Sequence, residues 1–194
     1  MLLAGFHRGS GTIHHDFLDR CASATPRAVS LCAGDGRDLL DVLAEHPRVT
    51  QVRARLIELD PTLADRARQR AAAAKLDRVD VICADAALTE VYSGAVPADL
   101  VLLCGVFGNI SDRDVQSTID ALPQLCARDA TVVWTRHRRH PDFTPRIRRW
   151  FTAAGFAEDA FDSPGPDHWS VGMHSFLGEP QPLAPGAHLF AFIR

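Results

Sequence analysis

The chain has 194 residues and a formal net charge of −3, a length that suits one domain with a sizeable core. Its composition, 46% hydrophobic and 23% charged, gives no overall attraction to nucleic acid or to an anionic membrane surface. No apolar run reaches the roughly 20 residues a membrane helix needs, and MLLAGFHRGSG at the start lacks the basic stretch of a signal peptide.

Apolar runs then alternate with helical patterns. The stretch AVSLCA (28–33) reads as a first strand and leads into RDLLDVLAEH, where Leu39, Leu40, Val42 and Leu43 form a helical stripe that Pro47 ends. ARLIEL (54–59) is a second strand, and Pro61 opens an alanine- and arginine-rich helix over 61–75. VDVICA (79–84) is a short third strand. ADLVLLC (98–104) is continuous enough to be covered on both faces. Ser111 and Asp114 have capping-box spacing, and Val115, Ile119 and Leu122 share the following helical face. ATVVWT (130–135) is a fifth strand, followed by a helix that Thr144 and Pro145 open and Gly155 closes. FAEDAF (156–161) and HLFAFI (188–193) read as the last two strands, with 163–186 between them as a packed lid.

Five β–α units and a terminal strand pair predict an α/β fold: a doubly wound, mostly parallel seven-stranded sheet with an antiparallel last strand. Residues 1–194 form one domain, with 1–27 as a short N-terminal cap carrying a stripe around Ile13 and His14. Ligands of such sheets bind at the carboxyl ends of the strands. Attention therefore falls on the residues closing each run: Ala33, Gly34, Asp35 and Gly36; Glu58, Leu59 and Asp60; Asp85 and Ala86; Cys104 and Gly105; Arg136 and His137. A tight turn explains the two glycines without a ligand, and capping explains the acidic residues, but neither reading explains why they all fall at strand ends.

The glycine loop AGDGRDLL is not a phosphate loop, because no Lys–Ser/Thr pair follows it. It is also a poor dinucleotide loop. Leu39 stands where the third glycine belongs, and Asp35 and Asp38 carry the wrong sign for pyrophosphate. A cationic cofactor tolerates those carboxylates.

On these residues the chain resembles the class I S-adenosylmethionine (SAM)-dependent methyltransferases, from about residue 28 onward. SLCAGDG resembles the family's glycine loop at Gly34 and Gly36, while Ser30 and Cys32 depart from its acidic residue and first glycine. RLIELDP resembles its second-strand motif, ICADA the motif after the third strand, and LLCGVFGNI the fourth. The resemblance implies a Rossmann-like methyltransferase fold and SAM as cofactor. It also implies ribose binding by Glu58 (Asp60 as the alternative), adenine binding by Asp85 over Ala86, and a methionine site at Cys104 and Gly105.

The acceptor side is less marked. His137, His174 and Asn109 are the candidate catalytic groups, and Arg136, Trp169 and Met173 the candidate substrate contacts. The five cysteines (Cys21, Cys32, Cys83, Cys104, Cys126) are widely spaced with no C-x-x-C, which fits reduced thiols in a cytoplasmic protein and no metal centre. The short cap favours a small-molecule acceptor. The alternatives are an RNA methyltransferase using the arginine-rich 136–149 segment, although no N/D-P-P-Y/F motif follows the fourth strand, and a non-catalytic SAM-binding protein.

Overall fold

The structure, a computed structural model, describes residues 17–193. The stripe around Ile13 and His14, and most of the 1–27 cap, lie outside the described residues. Seven strands form one sheet: β1 (Arg27–Leu31), β2 (Arg53–Glu58), β3 (Val79–Cys83), β4 (Ala98–Leu103), β5 (Cys126–His137), β6 (Phe156–Asp162) and β7 (Trp169–Phe176). Their order is β3-β2-β1-β4-β5-β7-β6. β1 to β5 pair in parallel, and β7 runs antiparallel between β5 and β6.

Helices α1 (Arg37–Glu45), α2 (Pro61–Ala73), α3 (Asp112–Ala121) and α4 (Thr144–Ala153) cover the sheet. Successive residues of a strand face opposite ways, and β4 shows the result. Leu100 and Leu102 pack with Leu39, Leu40 and Leu43 of α1 and Ala67 and Ala71 of α2. Val101 and Leu103 pack with Val115 and Ile119 of α3 and Ile147 and Phe151 of α4. Both faces are therefore covered. Among the described residues no helix is long and apolar enough to cross a membrane.

The identity of the antiparallel strand corrects the sequence reading. β7 is WSVGMHSF, which the sequence reading places inside the 163–186 lid, and HLFAFI is not a sheet strand. Val171 and Met173 face the α1–α2 core, while His174 and Phe176 face the other. Gly172 lies directly across from Trp134 of β5, and a Cβ there would sit 2.3 Å from the indole. The glycine makes room for the largest buried side chain of the sheet. HLFAFI instead straps the sheet's carboxyl-end side, bridging the loops after β3 and β4 through Leu88–His188 and Ile110–Phe192. Leu189 N–H donates to the Ala87 carbonyl at 2.8 Å, and the Leu189 carbonyl accepts from Thr118 Oγ1 at 3.0 Å.

Candidate cofactor site

Beyond β1 the chain turns through Cys32 (φ 54°), Gly34 (φ 59°) and Gly36 (φ 75°) before α1 begins. The two glycines serve different ends. A Cβ on Gly36 would lie 2.7 Å from Leu40 Cδ1 and 2.8 Å from Leu56 Cδ2, so its absence lets α1 sit close on the sheet. Among the described residues a Cβ on Gly34 would meet nothing within 4 Å, so the loop backbone is uncrowded at the switch point between β1 and β4.

Glu58 closes β2 and ties this loop to the next. Its Oε2 accepts the Gly34 N–H at 2.7 Å and its Oε1 accepts the Asp60 N–H at 2.9 Å. A carboxylate has about four lone-pair sites, so each oxygen keeps acceptor capacity. Asp60 is a helix cap: its Oδ1 accepts from Thr62 N–H (2.7 Å) and Leu63 N–H (3.1 Å) at the start of α2. Leu59, between the two acids, is 60% exposed. Beyond β3, Asp85 Oδ1 accepts the Ala87 N–H at 2.9 Å, and Ala86 is buried. Beyond β4, Gly105 (φ 77°) donates its N–H to Thr135 Oγ1 at 2.9 Å and accepts from Asn109 Nδ2 at 2.6 Å.

The electrostatics of the rim are acidic. Hydrogen bonds from the Arg37 guanidinium hold the Asp35 carboxyl down to about 2, so it stays ionised. Burial, then the charge of Asp35, pushes Asp38 up to about 6. Burial also pushes the Cys32 thiol up to about 12 and the Cys104 thiol well up, so neither is a thiolate nucleophile near neutral pH.

Three strand ends thus bring together a backbone loop with an uncrowded glycine, a buried carboxylate with acceptor capacity, an exposed leucine and a second acid. These groups fit SAM: carboxylates to accept from a ribose diol and an adenine amine, an apolar wall for the ring, and acidic surroundings for a cation. No protein-family model and no curated protein matches the sequence. Solved structures do. An O-methyltransferase family protein from Burkholderia thailandensis matches with a TM-score of 0.69 at 18% identity, over 92% of this chain and 58% of that one. This chain therefore spans little more than half the length of that protein. Magnesium protoporphyrin IX methyltransferase from Synechocystis, with bound SAM, matches with a TM-score of 0.67 at 11% identity, over 89% and 80% of the two chains. An RNA methyltransferase from Salinibacter ruber, in complex with S-adenosyl-L-homocysteine, matches at 0.56 and 21% identity, over 89% and 95%. The chain has the class I methyltransferase fold.

On that methyltransferase fold, the acceptor-side residues need revision. His174 is in the core, fully buried, with its ring 4.2 Å from that of Phe151. It pairs with Val132, well down β5 from the strand ends, so it cannot meet a substrate there. Met173 is buried in the α1–α2 core and is no substrate wall either. Trp169 pairs with His137 at the strand-end rim. His137 Nδ1 accepts the Arg139 N–H at 3.1 Å, which leaves the proton of the neutral ring on Nε2. In that tautomer His137 offers a donor, not a base. The Asn109 amide is engaged by the Gly105 carbonyl and holds the β4–α3 turn.

Arg136 is turned inward to the protein's own groups. Its Nη1 donates to the Phe107 carbonyl at 2.6 Å, its Nη2 lies 3.3 Å from Asp112 Oδ1, and its guanidinium stands over Phe143. It pins the β4–α3 turn to β5. Arg136→Gln is expected to lower stability by about 1–2 kcal/mol while S-adenosylhomocysteine affinity stays within about threefold. Denaturant titration and calorimetry on the same preparation check this, and a larger loss of affinity would mean that the turn shapes the cofactor site.

The sequence reading missed Thr135, whose hydroxyl fixes Gly105, and the terminal strap. Phe192 (44% exposed) and Ile193 (66% exposed) lie beside Asn109 and Ile110, with the Ile193 N–H donating to the Asn109 carbonyl at 2.9 Å. Their apolar pattern is visible in HLFAFI, but it reads there as a buried strand.

Proposed function

We propose that this chain is a SAM-dependent methyltransferase acting on a small-molecule acceptor. The observation that carries the reading is Glu58, clasped between the Gly34 and Asp60 amides at the mouth of the crevice with Leu59 exposed beside it. Bound SAM supplies a methyl group already activated on a sulfonium. The protein's part is then to orient the acceptor and exclude water. Glu58 would hold the ribose hydroxyls and Asp85 the adenine amine, with Leu59 and Ala86 against the ring. Gly34, Gly105 and the acidic Asp35–Asp38 rim would face the methionine part. His137 would donate from Nε2 to position an acceptor, and Phe192 and Ile193 would supply an apolar wall.

The RNA alternative draws support from the Salinibacter ruber neighbour. Against it, the arginine segment is largely engaged within the protein. Arg138 pairs with Asp142 at 2.9 Å, Arg148 reaches both Glu158 oxygens at 2.6 Å, and Arg146 stands over Phe143 and Trp150. Calorimetry is expected to show binding of SAM or S-adenosylhomocysteine and none of NAD(P). Methyl transfer to a panel of small acceptors should follow. Dinucleotide binding with no response to SAM overturns the proposal; SAM binding without turnover on any acceptor favours a non-catalytic binding protein.

A further inference from the structure

The opposite end of the sheet carries a feature that methyl transfer does not use. Arg27 of β1 and Arg53 of β2 are direct register partners. Arg78 continues the row at the start of β3, where Ala54 pairs with Val79 and the Ala54 N–H bonds to the Arg78 carbonyl at 3.0 Å. Neighbouring strands are about 4.8 Å apart, so Arg27 and Arg53 stand side by side on β1 and β2, with Arg78 in the turn immediately before β3, and all three line one cavity. All three are exposed, and among the described residues none has a side-chain hydrogen bond or ion pair. Like charges set directly opposite one another oppose sheet pairing, so this row costs stability in the protein alone.

The row borders a cavity of about 400 Å³, also lined by Arg55, Asp77, Asp80, Gly94 and Ala95. That volume is within the usual range for small ligands. Arg55 forms the fixed wall. Its Nε and Nη2 meet Asp80 Oδ2 at 3.1 and 3.0 Å, and its Nη1 donates to the Ser93 carbonyl at 2.7 Å. Asp80 is thereby engaged, leaving the three aligned arginines in excess over Asp77. On the β4 side the row stops at Asp99, whose Oδ2 accepts the Arg27 N–H at 2.7 Å.

We infer that this amino end of the sheet is a second ligand site, for a compact multivalent phosphate of the diphosphate class. Guanidinium forks match phosphate oxygens two at a time, and a row of three engages two linked phosphates better than one. The acidic limits at Asp77 and Asp99 make the strip about two strand spacings wide, too short for an extended nucleic-acid track. The site is distinct from the cofactor crevice: Arg53 and Glu58 are the two ends of β2, about 16 Å apart at roughly 3.3 Å per residue. The inference therefore stands whether or not the chain binds SAM.

Inorganic pyrophosphate titrated into the full chain at low ionic strength should bind saturably. Orthophosphate should bind about tenfold more weakly, and the combined variant Arg27→Gln, Arg53→Gln, Arg78→Gln should lose about tenfold or more of the pyrophosphate affinity. Without ligand, that variant should melt no lower than the parent, because it removes only mutually repelling exposed charges. That comparison also shows that the variant is folded. Absence of saturable pyrophosphate binding, equal binding by the variant, or orthophosphate binding as tight as pyrophosphate overturns the inference. An RNA oligonucleotide binding far more tightly than pyrophosphate through the same arginines overturns it in favour of a nucleic-acid surface.

Discussion

Glu58→Ala is expected to weaken S-adenosylhomocysteine binding by about 100-fold, the equivalent of about 3 kcal/mol for a charged, bidentate acceptor. The substitution has two effects. It removes the carboxylate proposed to face the ribose, and it releases the Gly34 and Asp60 amides that Glu58 holds at 2.7 and 2.9 Å. Glu58→Gln should be nearly as damaging, since the two N–H groups are held by different oxygens and the amide turns one of these into an NH2 donor facing an N–H. Asp60→Ala should behave differently. It deletes the α2 cap, whose loss costs about 1 kcal/mol of stability, and should leave affinity within a few-fold. Calorimetry on the three variants decides the matter. Weak binding by Asp60→Ala with Glu58→Ala unaffected would move the ribose site to the helix cap.

This contrast shows what the sequence could and could not convey. Two acids two residues apart at the end of β2 look alike in sequence, and Pro61 marks Asp60 as a possible cap without excluding Glu58 from that role. Only the register of β2 against the glycine loop separates them. β1, β2 and β4 were legible because burial on both faces makes them near-continuous apolar runs, as in ADLVLL of β4. β7 was not, although it too is covered on both faces. Gly172 interrupts it to admit Trp134, and His174 interrupts it because an aromatic pocket accepts a neutral imidazole. Both are responses to side chains of other elements, which a local pattern does not encode. HLFAFI misled for the opposite reason: within the strap Leu189 and Phe190 are buried, while Phe192 and Ile193 are exposed. Arg136 likewise has the position of a substrate contact, but its partners Phe107 and Asp112 come from a turn that the sequence does not bring near β5.

The histidine that the site cannot use should instead govern acid stability. Burial lowers His174 from an ordinary value of 6.5 to about 4. Glu158 pulls the other way, with its Oε2 3.7 Å from His174 Nε2, but Arg148 already engages both of its oxygens. Trp134 donates its Nε1–H to His174 Nδ1 at 3.2 Å, which favours the neutral ring protonated on Nε2. The unfolded chain therefore takes up a proton at higher pH than the folded one. The stabilisation is fully present above about 6.5 and is lost as pH falls toward about 4, amounting to about 3 kcal/mol in all and about 2 kcal/mol between pH 7 and pH 5. Asp38 acts in the opposite sense: its raised value, about 6 against 3.8, makes the folded state the better proton acceptor as pH falls over that interval. A comparison of variants separates the two. His174→Gln keeps an acceptor for the indole N–H but cannot titrate, so its denaturant-derived stability should fall about 2 kcal/mol less than the parent's between pH 7 and pH 5. Equal losses in the two proteins would mean that the histidine is charged in its pocket, with Glu158 rather than burial setting its state.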